Sequence, residues 1–276
     1  MMRTATVEEW HHLLQDPSGR RTAGRMNRNG QTMVIDKGMG PNLFSDFIQL
    51  AGPYADIVKL AFGTSVLYAP ELLRHKLKLA KEQGLIIMPG GTLLETAIQQ
   101  QTVSSFMDTI CSLGFNGIEV SDGTIELDRK RRTALIKEGI RRGLYVVTEY
   151  GKKATGSTID PNELAFTAEC DWEAGSMLVT VEARESGIDV GLFDEEGQCR
   201  EHTLEEVLSK VSDSSRLMWE APLKQQQVYL LQQFGANVHL GNIAPSDVLA
   251  LEAMRRGLRS DTFEFGHVSE PYYYMI

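Results

Sequence analysis

Eight short apolar or β-branched runs, each closed by a polar or glycine-containing turn, recur along the chain at intervals of 21 to 40 residues. They are TMVIDKG from Thr32, IVKLAFG from Ile57, LIIMPGG from Leu85, GIEVSDG from Gly117, LYVVTEYG from Leu144, SMLVTVEA from Ser176, RLMWEAP from Arg216 and NVHLGNI from Asn237. Most are followed by a segment of helical period, and such alternation describes strand–helix units. The clearest helices are PELLRHKLKLAKEQG (Pro70 to Gly84), TIELDRKRRTALIKEGIRRG (Thr124 to Gly143) and PSDVLALEAMRRGL (Pro245 to Leu258). Several end in a cation followed by glycine, a common helix stop.

Eight units with no break in composition predict a single (β/α)8 TIM barrel, an architecture that takes about 250 residues. An open doubly wound sheet is the rival, but no GxGxxG follows the first run. Residues 1–30 read as an N-terminal extension or cap, in which VEEWHHLL suits an amphipathic helix. Residues 31–260 then form the barrel and 261–276 a tail ending in PYYYMI, to be packed on the barrel or on a partner.

With 28 Lys and Arg against 37 Asp and Glu, the net charge of −9 argues against a nucleic-acid binder, whose affinity needs clustered cations. No apolar stretch approaches the roughly 20 residues of a membrane span, and the N-terminus has no signal-peptide run. Three scattered cysteines, Cys111, Cys170 and Cys199, suit a reducing compartment, so the expected location is the cytoplasm. A homo-oligomer is left open.

A barrel of this type builds its active site at the carboxyl ends of its strands, and charged residues gather there in this sequence. The first run ends in Asp36 and Lys37, the second contains Lys59, the fourth Glu119 and then Asp122, the fifth Glu149, the sixth Glu182 and then Arg184, and the seventh Glu220. Four glutamates at matching strand positions would share one axial space, where uncompensated carboxylates repel and lose hydration. A divalent cation relieves both costs, and hard oxygen ligands without a Cys or His cluster favour Mg2+ or Mn2+ over Zn2+. A structural ion network with Lys37, Lys59, Lys152 and Arg184 is the plainer alternative, as is an N-cap role for Asp122.

The cations at strand ends, Lys37, Lys59, Lys152, Lys153 and Arg184, suggest an anionic substrate. For Lys153 a solvated loop position is an equal alternative. The turns PGG (Pro89 to Gly91) and GNIAP (Gly241 to Pro245) allow close backbone approach, which makes Gly90, Gly91 and Asn242 candidate substrate contacts. Other chemistries lack their motifs: GxSxG, GxxxxGK[ST] and HExxH are all absent. His11 and His12 read as surface residues, DRKRR (Asp128 to Arg132) as a solvated helix face, and Tyr272 to Tyr274 as packing or interface.

Taken together, DKGMGPN, VKLAFGTS, MPGGTLLE, GIEVSDGT, TEYGKK, VEARESG with GLFD downstream, WEAPLKQQQ and GANVHLGNIAPSDVLALEAMRRGLRSDTF resemble the phosphosulfolactate synthase family, from Asp36 to Phe263. The resemblance implies a (β/α)8 barrel and a carbon–sulfur lyase. Its expected reaction is Mg2+-dependent addition of sulfite to C3 of phosphoenolpyruvate, giving (2R)-phospho-3-sulfolactate. In methanogens the family opens coenzyme M synthesis, and its bacterial members are associated with sulfolactate formation.

The residues can support that chemistry. Sulfite meets a highly anionic acceptor, so charge must be neutralised before the carbon–sulfur bond forms. Addition drives electrons into the carboxylate, giving an aci-carboxylate of the kind a metal stabilises, and C2 then takes a proton. By position, Lys152 is the expected donor with Lys59 second. Glu119, Glu149 and Glu182 are the expected metal ligands, and Glu220 either joins them or orients Lys152 or a bound water. Lys37 and Arg184 are expected to bind phosphate or sulfite. Two other readings keep the barrel: a Schiff-base aldolase using Lys59 or Lys37, and a non-catalytic anion-binding protein.

Overall fold

Every one of the eight runs becomes a strand, and all eight lie parallel in one sheet. The computed structural model describes residues 30–266 together with Asp16, Ser18 and Gly19. The strands are β1 (Thr32–Asp36), β2 (Ile57–Leu60), β3 (Ile86–Pro89), β4 (Gly117–Val120), β5 (Tyr145–Tyr150), β6 (Leu178–Val181), β7 (Leu217–Glu220) and β8 (His239–Ile243). Their order is β3-β2-β1-β8-β7-β6-β5-β4, with β8 beside β1, as expected of a sheet curled into a barrel. Between β3 and β4 one side chain helps to close the ring: Asn116 Oδ1 accepts from Ile87 N at 2.7 Å and its Nδ2 donates to Leu85 O at 3.0 Å. The expected helix VEEWHHLL, His11, His12 and the PYYYMI tail lie outside the described residues.

Helices α1 (Pro41–Ala51), α2 (Pro70–Glu82), α3 (Gly91–Gln99), α4 (Val103–Leu113), α5 (Arg129–Arg141), α6 (Pro161–Ala174), α7 (Glu201–Lys210), α8 (Lys224–Phe234) and α9 (Val248–Arg255) occupy the connections. α5 begins later than its sequence period suggests. Asp128 caps it by accepting from Arg131 N at 2.9 Å, and the five residues TIELD remain loop. Asp122 therefore does not cap this helix. The long interval before β7 contains an excursion in which Val190–Gly191 pairs with Ser157–Thr158, joining the loops that leave β6 and β5. Among the described residues, no helix is long and apolar enough to cross a membrane.

The outward side chains of the strands, including Val34, Val58, Ile87, Ile118, Val146, Val179, Trp219 and Leu240, join the apolar faces of the helices in the main core. A second cluster of Met33, Ile57, Met88, Val147, Leu178 and Met218 fills the barrel axis. Space for these long side chains comes from Gly117 and Gly241. A β-carbon at Gly117 would lie 2.6 Å from Ile86 Cγ2, and one at Gly241 2.8 Å from Met33 Cε. Large residues against absent ones give the layered interior that a barrel of this size requires.

DRKRR departs from its expected solvated role. Arg132 is fully buried, donating to Asp171 Oδ2 at 2.7 Å, Asp122 Oδ1 at 3.0 Å and the backbone carbonyl of Glu149 at 2.9 Å. Arg129 also meets Asp171, at 2.5 Å. Burying a guanidinium is tolerable only with this degree of pairing, and the pairing ties α5 and α6 to the end of β5.

Candidate active site

Side chains two residues apart share a strand face, so one step along the inward face exchanges the methionine and aliphatic layer for charges. Ile57 is followed by Lys59, Gly117 by Glu119, Val147 by Glu149 and Met218 by Glu220; Glu182 stands just past β6. All five charged residues are buried and line one cavity of about 320 Å³, together with Ile35, Phe62, Gly90, Gly91, Thr92, Thr124, Lys153, Arg184, Glu185 and Asn242.

Lys59 stands at the centre. Its Nζ donates to Glu220 Oε1 at 2.9 Å and Glu119 Oε1 at 3.2 Å, and lies 3.5 Å from Glu149 Oε2. Lys153 Nζ enters from the side, 2.8 Å from Glu149 Oε1 and 3.6 Å from Glu182 Oε2. Backbone groups hold three of the acids: Gly91 N donates to Glu119 Oε2 at 2.7 Å, Ala183 N to Glu220 Oε2 at 2.9 Å and Arg184 N to Glu182 Oε1 at 2.6 Å.

Four buried glutamates face two ammonium groups, and the electrostatics reflect that imbalance. Burial and the charge of Glu149 push the Glu119 carboxyl up to about 7, against the pull of Lys59 and Lys153. Burial, Glu149 and Glu220 hold the Glu182 carboxyl well above the carboxylate range. Glu149 goes the other way: burial opposes its charge, but Lys153 and Lys59 together bring it down to about 2. Burial likewise opposes the charge of Lys59, and the surrounding glutamates overrule it, raising the ammonium well above its ordinary value. Glu149 thus carries fixed charge while Glu119 and Glu182 resist ionisation.

Glu149, Glu182 and Glu220 each offer an oxygen within 4.8 Å of the others. Glu182 Oε2 is buried and takes no hydrogen bond among the described residues, and Asn242 Oδ1, on the same cavity wall, is in the same condition. Buried acceptors without donors, beside surplus carboxylate charge, fit a hard cation bound through oxygen. Three residues of the wall also hold a left-handed backbone: Phe62 (φ 54°), Arg184 (φ 59°) and Asn242 (φ 54°). Such conformations cost about 1–3 kcal/mol each and gather where a site dictates the backbone path.

Residues 21–261 match the family described as (2R)-phospho-3-sulfolactate synthase (ComA). The chain belongs to this family. It is 37% identical over 242 residues to the phosphosulfolactate synthase of Methanothermobacter thermautotrophicus, covering 87% of this chain and 93% of that protein. It is 39% identical to that of Methanocaldococcus jannaschii, covering 86% and 94%, and 38% identical to that of Bacillus subtilis, covering 85% and 92%. Among solved structures it resembles the YdjI aldolase of Escherichia coli (TM-score 0.53, 13% identity, 95% of this chain and 90% of that one). It also resembles a 3-hexulose-6-phosphate synthase (TM-score 0.51, 14% identity, 81% and 98%). At those identities the likeness concerns the barrel alone.

Of the residues expected to serve a phosphosulfolactate synthase site, Lys59, Glu119, Glu149, Glu182, Glu220, Arg184, Gly90, Gly91 and Asn242 come together on the cavity. Glu119 stands outside the group of three acids, with both oxygens taken by Lys59 and Gly91 N. Two lysines are elsewhere. Lys152 Nζ donates to Asp122 O at 2.9 Å and Ile125 O at 3.0 Å and pairs with Glu126 at 3.2 Å, on the outer side of the loop. Lys37 is exposed and borders a separate apolar groove with Met39, Leu43, Phe47, Leu50 and Leu249. Its neighbour Asp36 points away from the axis to the buried Lys76 (2.5 Å) and takes the N–H groups of Gly38 and Met39.

Sequence reasoning missed Glu95, Phe62 and Arg132. Glu95 carried a signal: it follows Gly91 by four residues, hence on the same face of α3. Phe62 and Arg132 carried none.

Proposed function

We propose that this chain adds sulfite to C3 of phosphoenolpyruvate to form (2R)-phospho-3-sulfolactate, using Mg2+ held by Glu149, Glu182 and Glu220. The observation that carries the reading is the buried trio of carboxylates beside two lysines and an arginine, in a chain of this family. Bound there, Mg2+ would supply positive charge against the carboxylate into which electrons flow as the carbon–sulfur bond forms.

The chain's own groups divide the remaining work. Lys59 is an electrostatic keystone: pinned by Glu119, Glu149 and Glu220, it fixes their geometry and offsets their repulsion. Arg184 and the first turn of α3 at Thr92 face the cavity as anion contacts, the Gly91 N–H being taken by Glu119. The sulfur lone pair forms the bond to C3, the C2–C3 π pair moves toward the carboxylate, and C2 takes a proton while the phosphate ester stays intact. Lys153, whose ammonium lines the cavity and, against the cost of burial, is held protonated by Glu149 and Glu182, is the proposed donor of that proton, in place of Lys152. The environment of Lys59 weighs against a Schiff-base aldolase, since an amine nucleophile needs a depressed pKa.

Phosphorus NMR of the purified protein with phosphoenolpyruvate and sulfite, first with Mg2+ and then with EDTA, tests the reading. A new phosphate-ester resonance of the mass of phosphosulfolactate, lost with EDTA, is expected. Persistence of phosphoenolpyruvate with folded, metal-supplied protein would overturn it.

A further inference from the structure

We infer that Glu95 and Gly123 form a seat that fixes Lys153, making them positioning residues for the proton delivery proposed above, on which this inference rests. Glu95 is buried on α3. Its Oε1 accepts from Ser121 Oγ at 2.5 Å and Gly123 N at 3.0 Å; its Oε2 accepts from Thr124 N at 3.2 Å and from Thr124 Oγ1. One carboxylate thus binds the loop after β4 at four points, far more than an ordinary helix–loop contact needs.

That loop braces the lysine, which stands on the neighbouring loop after β5. Lys153 N donates to Gly123 O at 3.1 Å. Its stem lies so close to Gly123 that a β-carbon there would meet Cγ, Cδ and Cε at 2.9–3.0 Å. The tip then reaches Glu149 at 2.8 Å, with Glu95 Oε1 3.9 Å away. Gly123 is not in the left-handed region, so its backbone does not demand glycine, and a β-carbon there would instead force the lysine stem to shift. A lysine stem otherwise samples many rotamers, and restricting it at ground level brings the ammonium to one place before substrate arrives.

The test compares Gly123→Ala, Glu95→Gln and wild type in the presence of Mg2+. Lys153 and Lys152 acetylation by acetic anhydride is read by peptide mass spectrometry as a ratio, alongside kcat, KM for phosphoenolpyruvate and thermal melting. Gly123→Ala is expected to raise the Lys153-to-Lys152 labelling ratio about fivefold and lower kcat about tenfold, with KM changed less than about threefold. Glu95→Gln, which keeps the shape but turns one acceptor into a donor, is expected to move both readouts the same way. A folded Gly123→Ala protein with an unchanged labelling ratio, or with a raised ratio and wild-type kcat, overturns the inference. If the wild type makes no phosphosulfolactate, the functional reading fails and the labelling ratio alone decides whether the seat exists.

Discussion

Two layers of the same barrel interior, one residue pair apart on the same strands, have opposite chemistry. The lower layer of Met33, Ile57, Met88, Val147, Leu178 and Met218 is dry and apolar, filling the axis against Gly117 and Gly241. The upper layer of Lys59, Glu119, Glu149, Glu182 and Glu220 is equally buried but built of charges. In the lower layer each side chain contributes by leaving water, about 1.5–3 kcal/mol when fully buried. In the upper layer burial is a cost, offset only by mutual pairing and by whatever the site binds. The scaffold is stabilised below, so that strain and unbalanced charge can be held above.

The sharpest way to break the comparison is Glu149→Gln. Removing the glutamate whose carboxyl is held near 2 is expected to lower turnover at least about 10³-fold, some 4 kcal/mol of barrel-end chemistry, and to weaken Mg2+ binding measured by calorimetry. Melting should fall, because Lys59 and Lys153 lose an ionised partner whose charge the fold holds favourably. Loss of folding instead would show the two layers to be one structural unit. Met218→Ala probes the other side: a cavity in the lower layer should destabilise by about 2–5 kcal/mol in urea unfolding while kcat stays within about threefold. A kcat collapse in a folded Met218→Ala protein would mean that lower packing sets the upper geometry.

A pH test separates the layers more finely. Glu119, raised to about 7, and Glu182, raised in the same direction, favour the fold while protonated. Their contribution is fully present below the ordinary carboxylate pKa and is lost as pH rises through the raised values. Glu149, held near 2, and the raised lysines contribute constantly between pH 5 and 8. With EDTA present, melting temperature should therefore fall from pH 5.5 to pH 8, by roughly 2–4 °C per kcal/mol lost, and Glu119→Gln should flatten the slope. A melting temperature that rises over this range would contradict the charge distribution described.

The barrel was legible because a parallel β/α repeat leaves period and spacing in the chain. The glutamates were legible because inward positions on β4, β5 and β7 follow the strand phase directly. Between the adjacent lysines the same count decides: by twos from Glu149, Lys153 shares its face and meets it at 2.8 Å, whereas Lys152 falls on the opposite face. Lys37 leaves the inward face because Asp36 folds its loop back by binding the N–H groups of Gly38 and Met39. Arg132 looked like one of five surface charges until α6 brought Asp171 against it.

The sequence by itself determined the number of strands, their direction and which acids end them, because these depend on local period and on residue type. Only the tertiary structure decided which charges meet. Partners such as Lys59 and Glu220, 161 residues apart, are joined by barrel closure, and the turn after β1 takes Lys37 off the cavity.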